Sequence, residues 1–161
     1  MILGMTTSTF TLLHVFVSFL GIGSGVAVMY GWIAGKRPDG LTAFFLATTV
    51  LTSVTGFAFP FEHLTPGLKI GILSMVVLAV AILARYVLHL AGTWRTIYVV
   101  CASLALYFNV FVLIAQSFQK VPALKALAPT QQEPPFLVAQ LVVLALFVLL
   151  TTMATRRFRR A

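Results

Sequence analysis

The stretch Phe136–Thr155, FLVAQLVVLALFVLLTTMAT, carries no charged residue and runs straight into Arg156-Arg157-Phe158-Arg159-Arg160. An α-helix rises about 1.5 Å per residue, so about 20 apolar residues match the roughly 30 Å hydrocarbon core of a bilayer. No water reaches that core, and backbone N–H and C=O groups must pair within a helix or a closed barrel. A barrel strand alternates polar and apolar side chains, and this stretch does not. It is expected to be a membrane-spanning helix whose arginine-rich end stays in the cytoplasm.

Four further runs upstream have the same character: Phe10–Gly35, Leu41–Phe61, Ile70–Leu90 and Thr96–Phe118. Turn-rich breaks separate them: Lys36-Arg37-Pro38-Asp39-Gly40, Glu62 to Lys69, Ala91-Gly92-Thr93, and the longer Gln119 to Pro135. Only 9% of the residues are charged and 60% are hydrophobic. A water-soluble domain carries about 25% charged residues, so this chain has too few to cover a surface in water. The expected fold is all-α: one polytopic transmembrane helical bundle over residues 1–161, with five spans at about 10–35, 41–61, 70–90, 96–118 and 136–155. Residues 119–135 form an extracytoplasmic loop in this scheme, and the N-terminus lies outside.

The orientation follows from where the positive charge sits. With the C-terminus inside, the cytoplasmic side holds Lys36, Arg37, Arg85, Arg95, Arg156, Arg157, Arg159 and Arg160, and the other side holds Lys69, Lys120 and Lys125. Cytoplasmic ends of spans are the ones enriched in Lys and Arg. The formal charge of +8 is thus distributed as topology signals, which points to membrane lipids as partners and away from nucleic acid. Arg85, Arg95, Arg156 and Arg157 are expected at lipid headgroups, Arg85 by snorkelling. Trp94 and Tyr98 are expected to anchor at the same interface. Met1–Thr9 has no Lys or Arg, so the first run is expected to remain as a span rather than to serve as a signal peptide. Cys101 lies inside an apolar run and is read as a packing residue.

Polar groups inside spans are costly and face protein or water. Thr48, Thr52 and Thr55 share one face of the second span at i, i+4 and i+7. Gly21 and Gly25 form a G-x-x-x-G pair on the first span, suited to close packing with another span or a second copy. His14, Thr52, Thr55, Asn109, Gln116 and Gln140 all fall in the outer half of the bundle. They either line an outward-facing pocket for a ligand or make hydrogen bonds between helices, and depth alone does not separate the two. Glu62, His63 and Glu133 lie in the loops on that side. The segment KVPALKALAPTQQEPP, Lys120–Pro135, is stiffened by four prolines and is expected to lay a short helix along the interface through Leu124, Leu127 and Ala128.

Catalytic and metal-binding patterns are missing. The three histidines, one cysteine and three acids are scattered, with no H-x-x-E-H, C-x-x-C or paired carboxylates. A b-type haem needs two ligands facing one another at equal depth. Only His14 and His63 share a side, and His63 is expected in a loop. Neither a metal nor haem is expected, and no enzymatic role is. Asp39, Glu62 and Glu133 are all expected in loops, which argues against a carboxylate-driven transporter.

Thr52-Ser53-Val54-Thr55-Gly56-Phe57 with Phe59-Pro60-Phe61, and Ala115-Gln116-Ser117-Phe118-Gln119-Lys120-Val121-Pro122 running on to Glu133-Pro134-Pro135-Phe136, resemble a family of small uncharacterised proteobacterial inner-membrane proteins. The resemblance covers most of the chain. It implies a bacterial inner-membrane location and carries no activity with it. From the sequence, then, three roles are expected. The first is a non-enzymatic accessory or assembly subunit, self-associating or bound to other membrane subunits. The second is a binding protein for a quinone, a lipid or another small amphiphile. A small transporter is the third.

Overall fold

A computed structural model describes residues 2–61 and 64–158. Glu62, His63, Arg159 and Arg160 therefore lie outside the described residues. The described chain is helical, with one isolated bridge between Ile2 and Met5. The helices are α1 (Thr7–Ile33), α2 (Asp39–Phe57), α3 (Pro66–Ile82), α4 (Trp94–Lys120), α5 (Pro122–Leu127) and α6 (Pro134–Phe158), with a π-helical turn over Leu83–Val87 extending α3. All except α5 are long and apolar enough to cross a membrane, which is compatible with a multi-pass membrane protein. Their outward faces carry Leu141 at 63% exposure, Phe16 at 62% and Val142 at 61%, a surface that water would not tolerate and lipid does.

The helix ends are set by local chemistry and differ from the hydropathy boundaries by a few residues. α1 starts early, at Thr7, because the Thr6 side chain accepts a hydrogen bond from the Thr9 N–H and caps it. It stops at Ile33 in a Schellman turn: Gly35 takes φ +72°, Lys36 N–H bonds Gly31 C=O and Gly35 N–H bonds Trp32 C=O. Asp39, expected in a loop, opens α2, where its carboxylate faces the positive end of the helix dipole. That helix ends at Phe57 and not at Phe61, since Pro60 disfavours helical geometry at Phe59. Thr65 caps α3, with Pro66 in its first turn. α3 ends through the π turn and through His89 and Leu90, both at positive φ; Arg95 Nε donates to Leu90 C=O and ties off that end.

The five long helices form a ring in the order α1, α2, α3, α4, α6, with α1 and α4 also touching across its middle. Gly25 permits that crossing. A Cβ there would lie 2.7 Å from Leu106 Cδ1 and 2.7 Å from Phe45 Cε2. Gly21 faces Thr49 Oγ1 and Thr48 Oγ1 on α2 and Asn109 Nδ2 on α4. The glycine pair thus packs α1 against spans of its own chain.

One half of the bundle holds the packed core. Val28, Trp32, Phe45, Leu78, Tyr98, Ala102, Leu106 and Phe158 are almost wholly buried there. Tyr98, expected at the interface, is instead fully buried, its ring 5.4 Å from Trp32 and 5.8 Å from Phe158. This end carries Arg37, Arg85, Arg95, Arg156 and Arg157, and will be called the arginine end. At the opposite end α5 folds back beside α4, and a small cluster of Phe118, Ala128 and Phe136 joins α4, the connector and α6.

Candidate functional site: a polar cavity opposite the arginine end

Where the core gives out, the first four long helices splay around a cavity of about 780 Å³. It extends along α1 from Thr11 to Ile22 and along α4 from Phe108 to Lys120. The eleven residue steps from Thr11 to Ile22 correspond to roughly 16 Å, about half of a bilayer's hydrocarbon core. Cavities that hold small molecules run from about 300 to 1,000 Å³, with apolar walls and a few placed polar groups. Here Phe57, Phe59, Phe108 and Phe111 supply aromatic wall, and polar side chains reach in from α1, α2, α3 and α4.

Four of the six residues expected to handle a ligand line this cavity: His14, Thr52, Asn109 and Gln116. A fifth, Thr55, stands behind His14, its Oγ1 2.8 Å from His14 Nδ1. Phe59 packs edge-on against the same imidazole, with centroids 5.3 Å apart, and His14 Cε1 lies 3.6 Å from where a Cβ on Gly56 would be. The imidazole thus lies against the backbone of α2 at Gly56, at a distance that is ordinary contact for a methyl group. The sixth residue, Gln140, does not reach the cavity. It is buried between α6 and α4, where its Nε2 donates to Phe111 C=O at 3.2 Å. It packs beside α4, which stands between it and the cavity.

Other wall residues escaped attention in the sequence. Thr11, His14 and Ser18 follow i, i+3 and i+7 on α1, and Asn109, Gln116 and Lys120 follow i, i+7 and i+11 on α4. Helical spacing applied to all polar residues, and not only to intramembrane threonines, points to both stripes. At the floor, Asn109 Nδ2 and Thr49 Oγ1 are buried and have no partner among the described residues. Leaving a buried donor unpaired costs about 1–3 kcal/mol.

Gln131 lies at the rim. Its Nε2 donates to Ala115 C=O, and Gln119 Nε2 donates to its Oε1 at 3.3 Å. Glu133, expected on this side, is occupied within its own turn. It accepts from Thr130 Oγ1 at 2.8 Å and from the Thr130 and Gln132 N–H groups. Partial desolvation works against its charge, and these hydrogen bonds outweigh it, holding the carboxyl below its ordinary range.

At the arginine end the side chains divide. Arg85 is folded inward: its side chain is 10% exposed, it pairs with Asp39, and its guanidinium lies 5.3 Å from the centre of the Tyr98 ring. The π turn displaces the helical register where Arg85 sits, so that it meets α2 and α4 and does not extend along the lipid face as expected. Arg95 serves the α3–α4 turn. Arg156 and Arg157 are exposed in the last turn of α6, where positive charge suits the helix dipole. Among the described residues no group of three His, Cys, Asp or Glu side chains converges to hold a metal ion.

No family model, no curated protein and no solved structure matches this chain.

Proposed function

We propose that the protein binds a small amphiphile, of the quinone or lipid class, in the cavity between its first four long helices, and acts by binding rather than by catalysis. The observation that carries this proposal is the cavity itself. Four polar residues from three helices line one volume inside an apolar bundle, and that volume suits one small molecule. His14 and Asn109 orient a polar head, and the phenylalanines take the apolar part.

Basic residues gather at one end of the bundle and only Lys69, Lys120 and Lys125 at the other. We take the arginine end as cytoplasmic, which makes the cavity extracytoplasmic and the bacterial inner membrane its place. An accessory or assembly role drew support from Gly21 and Gly25 as a face for partner helices. Both glycines pack inside the chain, so that support passes to the fold.

The test is retention of the native ligand by Asn109→Leu. Protein is extracted gently from its own membrane, and the small molecules released on denaturation are compared with those from wild type. The variant is expected to keep the wild-type melting behaviour and to lose the ligand. If it retains the ligand in full, Asn109 is not part of the site.

A further inference from the structure

Four of the seven hydroxyl groups that line the cavity share a feature that bears on what enters it. Each has one proton to donate. Thr11 Oγ1 donates to Thr7 C=O at 2.8 Å, Ser18 Oγ to His14 C=O at 2.7 Å, Thr52 Oγ1 to Thr48 C=O at 2.9 Å and Ser117 Oγ to Leu113 C=O at 2.7 Å. All four protons go to the preceding turn of the same helix, a common solution for hydroxyls within a span. What these side chains offer the cavity is oxygen lone pairs.

His14 follows the same pattern through Thr55. Thr55 Oγ1 lies 2.8 Å from Leu51 C=O and 3.1 Å from Thr52 C=O as well as 2.8 Å from His14 Nδ1. If its proton pointed to Nδ1, two carbonyl oxygens would crowd the hydroxyl oxygen with no hydrogen between. The arrangement free of that repulsion has Thr55 donating to its own helix and His14 Nδ1–H donating to Thr55. In neutral imidazole the second nitrogen then carries no proton. His14 Nε2 is an acceptor, and no partner occupies it among the described residues.

Side chains of the opposite kind are few. Asn109 Nδ2 is a buried donor without a partner among the described residues, which the oxygen of a hydroxyl satisfies as well as a carbonyl does, and the Gln116 amide offers both a donor and an acceptor. Ser53 Oγ donates to Ser74 Oγ at 3.5 Å and the Leu68 N–H donates to Thr65 Oγ1, so Ser74 and Thr65 are the two hydroxyls that keep a proton to offer. Lys120 is a donor, but it is exposed at the rim, where its charge works against a cationic ligand.

From this we infer that the cavity selects a neutral ligand whose head group donates hydrogen bonds, an alcohol or phenol, over the ether or carbonyl form of the same skeleton. The inference rests on the proposed binding function and specifies its ligand. Thr55 is a positioning residue: it fixes which nitrogen of His14 is bare. For a quinone-type ligand, the reduced dihydroxy form is the one retained.

The test uses the full chain in detergent with two probes of one skeleton, para-octylphenol and its methyl ether. The phenol is expected to bind about tenfold more tightly, the scale of one well-made hydrogen bond in a largely apolar site. In Thr55→Val, Nδ1–H loses its acceptor, the other tautomer becomes accessible, and the ratio is expected to fall toward one. A ratio of affinities is insensitive to the fraction of variant that folds, so a purely structural role for Thr55 leaves it unchanged and overturns the assignment of His14. Equal binding of the two probes to wild type overturns the donor preference while leaving amphiphile binding intact. Binding of neither overturns both.

Discussion

Gly25 and Asn109 illustrate how single residues divide the bundle into a tight half and a hollow one. Gly25 has no room for a Cβ, because the nearest side-chain carbons of Leu106 and Phe45 are 2.7 Å from where it would sit. Gly25→Ala is expected to cost about 1–3 kcal/mol, the usual range for overpacking, as read from thermal unfolding in detergent. A neutral result would mean that α1 and α4 separate more easily than their contact suggests. Gly21 is less crowded, at 3.3 Å from the nearest atom, and the atoms around it are polar. One glycine of the pair thus closes the core, and the other borders the floor of the cavity near Asn109.

Elements were legible in proportion to how far they depend on apolar run length. All five long helices follow from apolar runs matched to bilayer thickness, only one of which holds a charge, Arg85, and the connector helix α5 follows from proline and leucine spacing. Their ends were less legible, because Thr6, Gly35, Pro60 and the π turn act through hydrogen bonds and dihedral angles that hydropathy does not register. The site was partly legible for a related reason. Depth along a helix can be counted from sequence, which groups His14, Thr52, Asn109 and Gln116, and these four line one cavity. The direction each side chain faces depends on which helices are neighbours. That is why Gln140 was assigned to the site, Tyr98 to the interface and Arg85 to the lipid headgroups. The connector supplies a prediction at this scale. The Glu133 carboxyl sits below its ordinary range in the fold, so its hydrogen bonds to Thr130 and Gln132 hold in full above the unfolded value and are lost as pH falls through the lowered one. Amide exchange at Thr130 and Gln132 is expected to speed up in that acid window after correction for intrinsic rates. No change there would mean that the turn is held by its prolines alone.

At the scale of the molecule, core and cavity occupy opposite ends of one ring of helices. The arginine end is filled by Trp32, Tyr98 and Phe158 and tied by the pairing of Arg85 with Asp39. The other end keeps its helices apart around polar side chains and is covered at the rim by Gln131 and the connector. A rigid base with an open upper half is a suitable build for retaining a small molecule at half-membrane depth, since the side chains that contact it are held by helices whose spacing is fixed elsewhere. Such a division also predicts that filling the cavity leaves stability largely intact, whereas crowding the core does not.

The most direct test of the central claim is native mass spectrometry of the protein released from its own membrane, comparing wild type with Ser18→Trp. Ser18 lines the cavity, and an indole placed there occupies much of the space a ligand would take. Wild type is expected to carry a defined extra mass of small-molecule size, and Ser18→Trp to fold and carry none. A wild-type protein with no bound mass, or the same mass retained by Ser18→Trp, would contradict amphiphile binding in this cavity.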